Sequence, residues 1–145
     1  MRELLTNYGK VDLIWCDCPV EITAEQSTDL YNMITELQPE CLICSRIGVE
    51  STGIGDFGSA GDNQLGATAT REWVFEVPVT LNDTWGFKSF DQNWKTPEFI
   101  VQNLHEINAR GGNLLLNIGP DHLGRVPVKS AQILKEVGKI LREEK

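Results

Sequence analysis

The apolar positions of this chain change period along its length, and each change marks an element. Leu4, Leu5 and Tyr8 share one side of a short helical tail that Gly9 stops. Val11, Leu13 and Ile14 then form the apolar run expected of a strand covered on both faces. Extended backbone beyond that run would send Trp15 and Asp17 to one side and Cys16 and Cys18 to the other. Thr23 opens a helix to about Leu37, with Leu30, Met33, Ile34 and Leu37 as its apolar stripe and Pro39 as its stop. A second strand is expected from Cys41 to Arg46. From Gly48 to about Arg71 runs a glycine-bearing loop, of a length that is usually functional or disordered. Glu72 to Leu81 reads as a strand with Trp73, Phe75, Val77 and Val79 on one face and Glu76 on the other. Thr96 and Pro97 signal the N-terminus of a helix that should bury Phe99, Ile100, Leu104 and Ile107 and stop at Gly111-Gly112. Asn113 to Gly119 reads as a fully buried strand, and Pro127 to Leu141 as a final amphipathic helix.

The order β-α-β-loop-β-loop-α-β-α predicts an α/β fold with a parallel sheet and helices outside it. No repeat or linker divides the chain, so residues 1–145 are expected to form one domain or one piece of a domain. A helix tail leading straight into a strand reads as a chain that begins mid-fold. The formal net charge of −8 argues against a nucleic-acid partner and against anionic membranes. No apolar run reaches the length of a membrane span, and MRELLTNYGK is too polar and short for a signal peptide.

Cys16, Cys18, Cys41 and Cys44 are spaced as C-x-C and C-x-x-C, which raises zinc. Both pairs lie in apolar runs rather than in glycine-rich knuckles, so small buried hydrophobes are the favoured reading and a zinc-stapled module the rival.

The expected strand ends carry Trp15 with Asp17, Arg46, Glu76 with Trp85, and Asn117. In α/β barrels, chemistry is placed at the C-terminal strand ends. Two carboxylates, an arginine and two tryptophans suit a glycosidase, which needs a nucleophile, an acid/base and aromatic surfaces for the apolar faces of a sugar.

At these residues the chain resembles the family 29 glycoside hydrolases, the retaining α-L-fucosidases. Asn7-Tyr8-Gly9-Lys10-Val11-Asp12-Leu13-Ile14-Trp15-Cys16-Asp17 is similar to the family's "NYGPVDLIWFDG", and Leu37 to Arg46 to its "LQPDVLVNSR". Gly55-Asp56-Phe57 resembles "GDF/GDY", Glu76 to Phe87 resembles "ETPATLNDTWGY", and Gly111 to Pro120 is close to "GGNLLLNIGP". Asp121 and Gly124 follow as in the family's turn after that strand.

The resemblance implies the C-terminal half of a (β/α)8-like barrel, with Asp17 as nucleophile and Trp15, Arg46 and Trp85 lining the fucose pocket. No metal or organic cofactor is implied. One branch of the family takes its acid/base from the loop after "DF", where this chain has Gly58-Ser59-Ala60-Gly61-Asp62 and no glutamate. A second branch takes it from a "WE" strand, where this chain has Phe75-Glu76. Glu76 is therefore the expected acid/base and Asp62 the alternative, with Glu72 read as a surface residue. The family's histidine-rich fucose contacts come from earlier strands, and neither His105 nor His122 replaces them. The expected partner is a fucosylated oligosaccharide or glycoconjugate, with possible association to a missing N-terminal half or to another copy. The rival function is a catalytically inactive carbohydrate-binding remnant.

Overall fold

Side-chain caps at Thr23 and Thr96 fix the starts of two helices. The computed structural model describes residues 1–48, 53–68 and 74–144. They fall into two compact units, one of residues 1–48, 53–59 and 74, the other of residues 60–68 and 75–144.

In the first unit, helix α1 (Arg2–Asn7) ends at Tyr8, and Gly9 follows at φ +85°. Strand β1 (Leu13–Ile14) leads through helix α2 (Ala24–Leu37) to a parallel strand β2 (Leu42–Ile43), with Leu13 beside Leu42 and Ile14 beside Ile43. Helix α2 starts on a complete capping box, in which Thr23 Oγ1 accepts from the Gln26 N–H and Gln26 Oε1 from the Thr23 N–H. At its other end Gln38 accepts from the Val11 N–H at 2.7 Å and donates to the carbonyls of Leu5 and Gly9. One amide thus fixes the turn from α1 into β1. The core joins Leu5, Ile14, Ile34, Cys41, Ile43 and Ile47.

The expected strand from Cys41 to Arg46 is shorter. After Ile43 the chain tightens into a 3-10 turn, Ser45–Ile47, which carries Arg46 off the strand. The loop beyond is not structureless. Cys44 bridges Phe57 in parallel fashion, and strand β3 (Gly58–Ser59) follows. Asp56 locks this segment onto β2. Its N–H donates to the Ile43 carbonyl, and its carboxylate accepts from the Ile43 N–H at 2.8 Å and the Tyr31 hydroxyl at 2.9 Å. Gly55 passes so close to Ser45 that a Cβ would lie 2.8 Å from its Cα. The Gly-Asp-Phe motif is thus a clasp, with a close approach followed by an anchor.

In the second unit, strand β4 (Phe75–Thr80) runs parallel to strand β5 (Gly112–Asn117), with helix α3 (Pro97–Ala109) between them in sequence and helix α4 (Val128–Glu143) after. Thr96 caps α3, and Pro97 stands at its first position, as expected. Leu81, Ile100, Val101, Ile133 and Val137 form one core cluster, and Phe75, Val77, Val79 and Ile107 a second. The aromatic ring of Phe75 lies over Gly112, where a Cβ would approach it to 2.5 Å. The second glycine of the Gly-Gly pair is therefore required by packing.

Several expectations need correction. Strand β1 is not covered on both faces, because Leu13 is 44% exposed and its neighbour Leu42 is 52% exposed. Strand β5 is not fully buried, since Asn113 and Leu115 are exposed. Phe99 faces outward from α3, whose buried positions are Ile100, Val101, Asn103 and Ile107. The expected strand residues Glu72 and Trp73 lie outside the described residues, as do parts of the loop from Gly48 to Arg71. Among the described residues, no helix is long and apolar enough to cross a membrane.

Candidate active site

In the first unit the chain beyond β1 and the turn beyond β2 bring Trp15, Asp17 and Arg46 together. The Arg46 guanidinium lies 4.9 Å from the centre of the Trp15 ring, a cation–π distance. Its Nη1 donates to Asp17 Oδ1 at 3.0 Å, and its Nε donates to Ser59 Oγ at 3.1 Å. Ser45 Oγ in turn accepts from the Ser59 N–H, so the arginine is set by the segment that the Asp56 clasp holds. Arg46 is mostly covered, whereas the Asp17 side chain is 56% exposed. An ion pair that open to water contributes little stability. Its effect is to orient a carboxylate that solutes can reach.

Asp17 Oδ1 also accepts from the Cys18 N–H at 2.9 Å. Two donors therefore converge on one oxygen, and a carboxylate gripped through one oxygen can present the other. Cys18 adopts φ +51°, in the left-handed region. An L residue pays about 1–2 kcal/mol there, and glycine does not. The family segment resembled here has glycine at this position. Cys18→Gly is accordingly expected to raise stability by up to about 1 kcal/mol, somewhat offset by the greater backbone freedom of glycine when unfolded, and thermal denaturation would measure it. A lower melting temperature would show that Cys18 packs more than it strains.

The four cysteines do not assemble. Cys41 and Cys44 are buried and Cys18 is exposed, and among the described residues no group of three or more His, Cys, Asp or Glu could hold a metal ion.

In the second unit Trp85 stands beyond the end of β4 and is tied to the end of β5. Asn117, the last residue of β5, donates through Nδ2 to the Trp85 carbonyl at 2.8 Å. Gly119, at φ +52°, lets the chain pass so near that a Cβ would sit 3.0 Å from that carbonyl. The loop after Trp85 is braced by Asp91, whose carboxylate accepts from the Asp83 N–H and the Thr84 hydroxyl. Asn117 is thus a holder of Trp85, and the Asn-x-Gly spacing is the trace of it in the sequence.

Glu76 is not at a C-terminal strand end. It is the second residue of β4, beside Asn113, and is buried at 8% exposure. The end of the strand, Thr80, lies four residues on, about 13 Å at the rise of a strand. Asp62 precedes a residue that is bonded to that end of the strand. Its neighbour Asn63 donates its N–H to the Pro78 carbonyl at 2.8 Å, and Asn63 Oδ1 accepts from the Thr80 N–H at 3.0 Å. Asp62 itself is exposed. These bonds fasten the segment that carries Asp62, although Gly58, Gly61 and Gly66 surround it. Lys95 adds to the same corner, donating to Thr80 Oγ1 and the Asn82 carbonyl, and burial pushes its ammonium below the usual lysine range.

The family model described as Alpha-L-fucosidase matches residues 1–145. Alpha-L-fucosidase 1 of Arabidopsis thaliana is 28% identical over 165 residues, which cover 94% of this chain and 32% of that protein. The α-L-fucosidase AlfC of Lactobacillus casei, solved in complex with α-L-fucose product, matches with a TM-score of 0.84 and 38% identity, over 99% of this chain and 43% of its own. The α-L-fucosidase isoenzyme 1 of Paenibacillus thiaminolyticus matches with a TM-score of 0.86 and 36% identity, over 97% of this chain and 37% of its own. This chain therefore spans about a third of the curated relative, 32%, and about two fifths of the solved ones, 43% and 37%. Matched along its whole length, the chain belongs to the α-L-fucosidase family.

Proposed function

We propose that this chain is the C-terminal part of the (β/α)8-like catalytic domain of a retaining α-L-fucosidase, and that both units belong to that one domain. Two parallel β-α-β pairs support the barrel reading. So do Leu13, Leu42 and Leu115, apolar residues exposed on strand faces that a closed barrel would cover. The remainder of the domain is the proposed cover for them; pairing with a second copy of the chain is the competing outcome in a sedimentation experiment.

The observation that carries the activity is the Trp15, Asp17 and Arg46 cluster, an accessible carboxylate oriented by a covered arginine beside an aromatic plate. Asp17 attacks the anomeric carbon as the bond to the leaving oxygen breaks and a second carboxyl group gives that oxygen its proton. The covalent fucosyl-enzyme then reacts with water, which loses its proton to the same second group, and fucose departs with its configuration retained. Trp15 and Trp85 offer aromatic faces to the sugar. The substrate class is an α-L-fucoside on a glycan or glycoconjugate. One variant of the Lactobacillus casei enzyme AlfC has been solved with Fuca(1,6)GlcNAc and with 4-nitrophenyl-α-L-fucopyranoside, which makes both the natural choices for assay.

For the acid/base we propose Asp62 ahead of Glu76. Favouring Asp62 are its exposure and the bonds from Asn63 to the C-terminal half of β4. Glu76 is the second reading, favoured by the resemblance of Phe75-Glu76 to the "WE" strand.

The test is hydrolysis of 4-nitrophenyl-α-L-fucopyranoside followed by proton NMR, with the chain alone and with the N-terminal part of a relative's catalytic domain supplied in trans. α-L-Fucose should form first and then mutarotate. β-L-Fucose as the first product would end the retaining mechanism. Fucose binding without turnover in either format would favour the binding remnant.

A further inference from the structure

A general acid works only if it is held within hydrogen-bond reach of its oxygen. Asp62 is exposed, follows Gly61 and has no helix or strand of its own. Its segment is nevertheless fastened at both ends. On the near side, Ala60 donates its N–H to the Glu76 carbonyl at 2.8 Å. Asn63 then takes φ +56°, a left-handed conformation that asparagine tolerates better than most residues. That turn directs its N–H to Pro78 and its side-chain oxygen to the Thr80 N–H, with the Thr80 hydroxyl 3.2 Å from the same oxygen. On the far side, Arg110, at the C-terminal end of α3, donates Nε to the Ala67 carbonyl at 3.1 Å and Nη2 to the Leu65 carbonyl. Between the two, Leu65 and Ala67 pack on the cluster of Phe75, Val77, Val79 and Ile107.

We propose that Asn63 and Arg110 are positioning residues that clamp residues 60–67 along β4 and thereby fix the carboxyl group of Asp62. The inference rests on the reading of Asp62 as the acid/base. Arg110 acts through the carbonyls of Ala67 and Leu65 that it holds. The two side chains divide the work. Asn63 sets the turn beside the acid, and Arg110 keeps the segment from lifting at its far end.

The test has two arms, each run on the full chain. The first is amide hydrogen exchange at Asn63 and Thr80, with Leu116 inside β5 as the control. In Asn63→Ala and Arg110→Ala, exchange at Asn63 should speed up by about 10-fold or more, the effect of losing one or two hydrogen bonds, with Leu116 unchanged. Asn63→Asp keeps the acceptor and should restore protection, and free guanidinium should restore it in Arg110→Ala. Unchanged exchange at Asn63, or equal acceleration at Leu116, would overturn the clamp. The second arm compares turnover of Fuca(1,6)GlcNAc with that of the nitrophenyl fucoside, with the N-terminal part of a relative's domain supplied where needed. Both alanine variants should lose about 10- to 100-fold on the first and little on the second, as expected for a displaced acid. Asp62→Ala must show the same contrast. If Asp62→Ala shows it and the clamp variants do not, the clamp has no catalytic role. If Asp62→Ala does not show it, or no format turns over, the reading of Asp62 fails and the catalytic role of the clamp fails with it, whatever the exchange rates.

Discussion

Asp17→Gly is expected to lower turnover of an aryl α-L-fucoside by on the order of 10⁴-fold or more in the completed enzyme, the scale of losing a covalent nucleophile. Added azide should restore part of it, because a small anion can enter the space left by the side chain and attack the anomeric carbon. The product would then be a fucosyl azide of inverted configuration. The loss should not be one of folding. The Asp17 side chain is 56% exposed and its pair with Arg46 is open to water, so removing it should change stability by no more than about 1 kcal/mol. Near-parental activity in Asp17→Gly, or an unfolded protein, would contradict the assignment.

The second large effect separates the two candidate acids. Removing the acid should slow substrates with poor leaving groups by about 10²- to 10⁴-fold, while activated aryl fucosides, whose leaving oxygen needs no proton, should be far less affected. Asp62→Ala is expected to behave this way toward Fuca(1,6)GlcNAc. Glu76→Ala is expected to lower activity on both substrates together, through stability, because it removes a buried side chain from the second position of β4. Leaving-group dependence in Glu76→Ala and not in Asp62→Ala would restore the reading first drawn from the sequence.

Much of the fold could be read from periodicity. Helices α2, α3 and α4 carry apolar stripes over many turns, and Thr23 marks the start of α2 and Thr96 with Pro97 that of α3 through local chemistry. The parallel pairing followed from the alternation of strand and helix. The misreadings share a cause. A short apolar run such as Val11 to Ile14, or Leu114 to Leu116, carries no record of whether a second layer covers it. Burial on both faces was therefore assumed where Leu13, Leu42 and Leu115 are exposed.

Asp17 and Arg46 were legible as candidates because each follows a short apolar run. Their contact was not, since it depends on the 3-10 turn at Ser45–Ile47 and on the anchoring of Ser59. Glu76 was misplaced because the extended pattern around it gives no sign of which end of the strand it occupies. The fastening of the segment that carries Asp62 was hidden for the opposite reason. Glycine density reads as looseness, and the partners that fix its segment, Thr80 and Arg110, are distant in sequence. Asn63 was the one local clue, an asparagine able to hold a left-handed turn directly after the acid.

The most direct test of the central claim is to trap the covalent intermediate. An α-L-fucosyl fluoride carrying a second fluorine at C2 slows both steps, but its good leaving group lets the first proceed, so the fucosyl-enzyme accumulates. The protein, alone and completed in trans, would be incubated with this reagent, digested and mapped by mass spectrometry. A single ester-linked 2-fluorofucosyl group on Asp17, released slowly when a fucose acceptor is added, is the predicted result. A label on any other carboxylate, or none in a preparation that hydrolyses α-L-fucosides, would contradict it.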